Sequence, residues 1–307
     1  MLKDMGESLM NGLMLFLCMI WGFNFVIMKL GNGVFPPVLF AAFRFLLGAI
    51  VLFGLSYFKK IPMPGKRELK WYILCGILQT TYFNIAIQIS LNYISAGLTS
   101  VLTYSMPLFL SLMVHYFIPG EKLTAGKTGG ILIGIFGLFL AMNIHLGENI
   151  WAPILALSSA VAWALSSLIF KKKLQDCDNV QFTTWQMGAG AIGLFLYSFS
   201  FEHGESHWSL MAVVYLLYSG ILASALAFVI WSHILSKMEA SKASISLLIV
   251  PVVGTLSGFL FLKEDLSAIT LLGIILVLSG IWLVNNTGSA RSTLQNQRFL
   301  IGKKDKY

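Results

Sequence analysis

The sequence predicts an all-α integral membrane protein in which ten transmembrane helices form two inverted five-helix repeats. Three observations carry this expectation. The 307 residues are 57% hydrophobic and 11% charged, with a mean hydropathy of +0.80, whereas a water-soluble chain is about 45–50% apolar and roughly 25% charged. Apolar runs of span length recur with short breaks; at about 20 residues per span the chain has room for about ten. The second half of the chain also echoes the first at a nearly constant offset. The same composition excludes a disordered chain, and it excludes a nucleic-acid-binding domain, whose basic residues would line a solvated face.

In order, the runs lie near residues 11–31, 37–58, 70–91, 97–118, 125–144, 151–171, 180–201, 209–236, 242–262 and 267–286. The first has no A-x-A cleavage site and is followed by many more spans, so it reads as a retained helix rather than a signal peptide. Most connections are too short to fold into a soluble domain. Residues 287–307 are polar and basic and read as a cytoplasmic tail. Cys18 and Cys75 fall in apolar runs and Cys177 in a charged loop, with no CxxC pair or zinc spacing among them.

The basic residues orient the spans. With the N-terminus in the cytoplasm, Lys3, the cluster Lys59, Lys60, Lys66, Arg67 and Lys70, then Lys122 and Lys127 are inside. So are Lys171 to Lys173, Lys237, Lys242 and the five basic residues of the tail. Only Lys263 falls in an outer loop; Lys29 and Arg44 lie within or at the edge of spans. An asymmetry this strong predicts a multi-pass protein of the cell membrane with both termini cytoplasmic. The net charge of +8 is then a topology signal.

The repeat is visible residue by residue. An offset of 142 places Trp21 on Trp163, Lys29 on Lys171, Phe40 on Phe182 and Gly48 on Gly190. An offset of 144 places Gly76 on Gly220, Ala96 on Ala240, Ser100 on Ser244 and Pro107 on Pro251. An offset of 143 places Glu121 on Glu264, Gly130 on Gly273 and Gly137 on Gly280. The expected units are residues 11–144 and 151–286. Each holds five spans, an odd number, so the two must sit in opposite orientations. Inverted repeats of this kind build many secondary transporters, with the substrate site between the repeats.

Polar groups inside a bilayer are costly and face the interior. Trp21, Asn24 and Met28 share a face of span 1, and Trp163, Ser166 or Ser167, and Phe170 repeat it in span 6. Gln79, Tyr82 and Ala86 align in span 3, with Asn84 and Gln88 beside them. Span 4 offers Ser100, Thr103, Pro107 and Ser111. Span 9 offers Ser241, Ser244, Pro251 and Thr255, and span 7 adds Trp185 and Gln186. Singly, each hydroxyl can bond its own helix and each amide a neighbouring one. Together they suggest a polar, aromatic-lined cavity for a small zwitterionic or amphipathic solute. Its candidate residues are Trp21, Asn24, Arg44, Gln79, Tyr82, Thr103, Trp163, Ser166, Trp185 and Gln186.

Arg44 lies about seven residues into span 2, roughly 10 Å deep at 1.5 Å per residue. It can snorkel to the interface, bond carbonyls at a helix end, or face a cavity and bind a substrate anion. Pro107 and Pro251 fall mid-span at matching positions, where each would free a backbone carbonyl, that of Thr103 or of Leu247; they are candidate hinges or packing kinks. Gly130-xxx-Gly134 can join the repeats or two subunits, so a monomer and a homodimer are both open.

All 13 acidic residues fall in loops or at span ends. Glu121 and Glu264 read as parts of helix starts capped by Thr124 and Ser267; either would have to serve if a proton is the coupling ion. No nucleophile elbow, P-loop, HExxH or cofactor-binding motif is present, so no enzyme activity, metal or cofactor is expected. A secondary carrier for a small molecule in the lipid bilayer fits best, ahead of a channel or a non-transporting membrane scaffold.

Several segments resemble a known family. Ile20 to Val26, then Lys29, Pro36-Pro37 and Ala41 to Phe45, resemble the start of an EamA-type repeat of the drug/metabolite transporter superfamily. Ala96 to Ser100, Pro107, Gly120 to Thr124 and the glycines Gly130, Gly134 and Gly137 resemble its end. Ala240, Pro251, Leu262 to Ser267, Gly273 and Gly280 resemble the end of a second repeat. The resemblance covers residues 11–286. It implies ten helices in two inverted repeats, a central cavity, and transport, often export, of amino acids or other small metabolites. In the second half Ala164, Ser166 and Gln186 stand where Gly22, Asn24 and Arg44 stand in the first, which fits an asymmetric site. Small multidrug efflux relatives use an acidic residue in the first span. Span 1 has none, which counts against drug-cation efflux by that route.

Overall fold

A computed structural model describes residues 2–118, 123–142, 150–174, 177–231, 247 and 249–283, with side chains described from Gly12 onward. Glu121, Ala240, Ser241, Ser244 and the tail 287–307 lie outside the described residues. Among the described residues every regular element is helical. The elements are α1 (Leu2–Asn32), α2 (Pro37–Phe58), α3 (Lys66–Ser90), α4 (Ala96–Phe117), α5 (Ala125–Met142), α6 (Trp151–Lys173), α7 (Asn179–Phe201), α8 (Leu210–Trp231), α9 (Ile249–Leu262) and α10 (Ala268–Leu283). Six of them are long and apolar enough to cross a membrane: α1 from Gly12, α2, α3, α4, α6 and α8. Large apolar side chains such as Phe136, Leu196 and Leu260 are exposed, as a lipid-facing surface requires.

Three of these helices are not uniform. In α3 the stretch Gly76–Tyr82 is π-helical, and in α8 so is Tyr218–Leu226. The two wide turns fall at the offset that pairs Gly76 with Gly220. The third, α4, breaks at Tyr104–Ser105 into Ala96–Thr103 and Met106–Phe117. Pro107 therefore stands in the first turn of a new helix, where its missing N–H costs nothing, and not inside a continuous one. Pro251 likewise stands in the first turn of α9, and the carbonyl of Leu247 is taken by the Val250 amide (3.0 Å).

Close packing is set by small residues. Helices α2 and α7 meet along Ala41, Ala49, Leu52, Met187, Ala191 and Leu194. A Cβ on Gly48 would collide with Met187 of α7 and press tightly on Gly220 and Ser224 of α8, and one on Gly76 would collide with the Gln186 carbonyl and press on Gly190 of α7. Helix α1 crosses α9 where Gly22 meets Val250 and Val253. Gly130 and Gly134 lie against Gly280, and Gly137 against Gly273. The GxxxG motif of α5 thus engages α10 of the same chain.

Helix starts supply part of the polar anchoring. Thr124, Asp178, Ser209 and Ser267 accept from the Lys127, Gln181, Ala212 and Thr270 amides at 2.8–3.3 Å. The start of α2 follows Pro36, whose side chain cannot cap. Instead Glu202, beyond α7, accepts from Val38 N (2.8 Å) and Leu39 N (2.9 Å). Glu264 plays the same part for α4, accepting from Ala96 N (2.7 Å) and Gly97 N (3.3 Å) while pairing with Lys29 (2.9 Å). So Ser267 caps α10 as expected, but the Glu264 carboxylate serves a different helix. Negative charge is favourable at both sites because helix starts expose unpaired N–H groups and the positive end of the dipole.

Candidate functional site

A cavity with about 630 Å³ of empty space, solvent at its opening included, lies among α1, α2, α3, α4, α6 and α8. Five of the expected residues line it: Trp21, Asn24, Arg44, Gln79 and Trp163. Ser166 and Gln186 stand behind the wall. Ser166 Oγ and Gln186 Nε2 each donate to Gln79 Oε1 at 3.0 Å, which leaves the donor end of that amide for the cavity. The other three expected residues lie elsewhere. Tyr82 is 41% exposed and bonds Ser158 Oγ (2.9 Å). Thr103 is buried against Ser159 (3.4 Å). Trp185 packs edge-on to Phe53, centroids 5.4 Å apart.

Arg44 is 5% exposed, so the snorkelling reading does not hold. Its Nη2 donates to Asn84 Oδ1 (2.5 Å), and Asn84 Nδ2 in turn donates to the Thr80 carbonyl of the π-helical segment (2.7 Å). Arg44 Nε and Nη1 are buried with no partner among the described residues. The guanidinium also sits over the Phe45 ring, 4.6 Å from its centroid. No acidic residue is among the described residues that line the cavity.

The walls are aromatic. Trp163 meets Tyr104 and Phe83 edge-on, with centroids 5.3 and 5.6 Å apart. Trp21 meets Phe228 and Trp231 at 5.6 and 6.0 Å. The Trp21 indole N–H is fixed by the Ala223 carbonyl (2.9 Å), inside the second π-helical segment. Each wide turn therefore offers a carbonyl to a cavity side chain: Thr80 to Asn84 and Ala223 to Trp21. π-Helical turns recur at functional sites for this kind of reason. Asn24 Oδ1 accepts from Ser219 Oγ (2.7 Å), so its amide also turns its acceptor to the protein.

This combination of one buried cation, amides and indoles among six helices, with no acid among the described lining, suits binding of a small solute. The model of the EamA-like transporter family matches residues 9–143 and again 150–286. The chain belongs to the EamA-like transporter family. It is similar to the uncharacterized transporter YoaV of Bacillus subtilis (strain 168), 31% identical over 279 residues, covering 89% of this chain and 95% of that protein. It is also similar to a probable amino-acid metabolite efflux pump of Escherichia coli (strain K12), 27% identical, covering 88% and 93%. A solved crystal structure shares the fold with a TM-score of 0.66 at 18% identity, over 90% of this chain and 97% of that one. The chain is thus a multi-pass membrane transporter.

Several lining residues of this EamA-family chain were not among the expected ones. Asn84 was recognisable only as a polar residue beside the chosen face of span 3. Tyr104 enters the wall because α4 breaks beside it. Phe228 and Trp231 are one helical turn apart in a span so uniformly apolar that no face of it stands out.

Proposed function

We propose that the chain is a secondary active carrier that moves a small metabolite, an amino acid or related solute, outward across the plasma membrane by alternating access. Both termini are cytoplasmic in this reading, and the cavity around Arg44 is the substrate site. One observation carries it: residues of both halves, Trp21 and Arg44 from the first and Trp163 and Trp231 from the second, meet around a single cavity. The name of the E. coli relative supports the solute class.

Two inverted repeats, 11–144 and 151–286, belong to the same proposal. The π-helical turns at Gly76–Tyr82 and Tyr218–Leu226 support it, as do the matched crossings of Gly48 with Gly220 and of Gly190 with Gly76. The fixed positive charge of the cavity disfavours cationic drugs as cargo.

The test is efflux of a metabolite panel from vesicles, with and without a proton gradient. Transport of at least one solute is expected, lowered at least tenfold by Trp21→Ala or Asn24→Ala at unchanged expression and little affected by Trp185→Ala. If no solute moves under any gradient, the carrier reading fails. If Trp21→Ala and Asn24→Ala both transport normally, the cavity is not the site.

A further inference from the structure

We propose that the cavity selects monocarboxylate anions with an apolar, aryl-sized body, and that a substrate amino group adds nothing to affinity. This rests on the carrier reading above and narrows it to one chemical class.

The amides of the cavity present donors, while the Ser224 hydroxyl, which donates to the Ser219 carbonyl, keeps only its acceptor side. Asn24 has its acceptor end on Ser219, Gln79 has its acceptor end on Ser166 and Gln186, and Asn84 has both ends bonded, to Arg44 and Thr80. What the amides leave for a ligand is N–H. Arg44 adds two buried N–H groups, on Nε and Nη1, with no partner among the described residues. Nε and Nη1 point from different edges of the planar guanidinium, and either can give an anion a charge-assisted hydrogen bond. A buried, unpaired guanidinium is costly, and an incoming anion relieves that cost.

An ammonium group meets the opposite situation. The described lining holds no carboxylate, and each of its amide oxygens already accepts at least one hydrogen bond. Ring faces could attract a cation, but that attraction repays only part of its lost hydration, and Arg44 repels it in the same small space. The remaining surface, Trp21, Trp163, Phe83 and Phe228 among it, is apolar and aromatic and accepts a ring by edge-to-face contact.

The test is binding to the purified full-length protein in detergent by calorimetry, with four probes on one phenylethyl frame: 3-phenylpropionate, L-phenylalanine, 2-phenylethylamine and 3-phenylpropanol. The acid is expected to bind at least tenfold tighter than the alcohol and the amine, and phenylalanine no tighter than the acid. Arg44→Gln should weaken the acid at least tenfold, to about the level of the alcohol, with an intact fold reported by an unchanged helical circular-dichroism spectrum and gel-filtration profile. Gln79→Glu, which replaces a donor with a negative charge, should weaken the acid more than the alcohol. Tighter binding of phenylalanine than of the acid, equal binding of the amine, or an unchanged acid affinity in Arg44→Gln overturns the inference and leaves the carrier reading standing. Absence of binding by all four also overturns it. Failure of the carrier reading is reported separately, by the absence of any efflux from the metabolite panel.

Discussion

Lys29 Nζ and Glu264 Oε1, 235 positions apart in the chain, form an ion pair of 2.9 Å that ties the end of α1 to the loop after α9. The same carboxylate accepts from Ala96 N and Gly97 N at the start of α4, and the same ammonium donates to the Ile94 carbonyl (3.0 Å). Three elements are thus joined through two charged groups. Hydrogen bonds to charged groups contribute about 1.5–3 kcal/mol each. Glu264→Ala, which removes three of them, should lower the stability of the detergent-solubilised protein by at least that amount. Adding Lys29→Met should cost less than the sum of the single changes. Strict additivity in a thermal unfolding series would show that the pair does not couple the elements.

The contact between α5 and α10 depends on glycine. Gly137→Leu and Gly280→Leu insert side chains into backbone and should cost more than the 1–3 kcal/mol of ordinary overpacking. Gly129 has open space around it, so Gly129→Ala should be neutral or gain up to about 1 kcal/mol from helix propensity. Denaturation midpoints of the three variants check the contrast.

Cysteine labelling tests the orientation read from the basic residues. In a background lacking native cysteines, Gly204→Cys in the α7–α8 loop should react with an impermeant maleimide added to whole cells. Gly65→Cys, before α3, should react only after the membrane is opened. The reverse pattern would place both termini outside.

The native thiols should respond to pH in a stated direction. Cys18 and Cys75 are buried, and both should resist labelling in the folded protein. Cys177, outside the spans, is half-buried, and burial pushes its thiol above the ordinary value. Its thiolate is therefore scarcer than that of a free thiol at any given pH below its raised pKa, and thiolate is the reactive form. Labelling at Cys177 should be slow at neutral pH and accelerate well into the alkaline range. A rate matching free cysteine at pH 7 would contradict this.

Much of the architecture was legible in the sequence because bilayer thickness fixes how long an apolar run must be. The run at 37–58 matches α2 residue for residue, and most other boundaries fall within a few residues. The faces were less legible, for a reason visible in α3. Choosing Gln79 and Tyr82 as neighbours assumes 3.6 residues per turn. The π-helical turn adds a residue, so the positions that return to the face of Gln79 are Phe83 and Asn84, four and five residues on. Tyr82 is rotated away to Ser158. Hydropathy could not reveal that turn; the break at Tyr104, by contrast, lies just before Pro107, a residue the sequence already marks as a candidate hinge or kink. Arg44 was found because a charge in an apolar run is conspicuous on any assumption of pitch, and Trp163 because it repeats Trp21 at an offset of 142. The partner of Glu264 was out of reach, since nothing in its local sequence points to Lys29.

The isolation of Arg44 as the only charge among the described cavity residues has an electrical consequence. A carrier that seats one monoanion on one fixed cation crosses loaded as a neutral complex and returns empty as a cation. Only the return step then feels the membrane voltage, and an inside-negative voltage draws the empty site toward the cytoplasm, where it would load for export. One elementary charge moved through 100 mV is worth about 2.3 kcal/mol, enough for a concentration ratio of about fifty at 1.4 kcal/mol per tenfold. Export of a carboxylate by such a site would run on the resting potential alone, without a proton-carrying acid in any span.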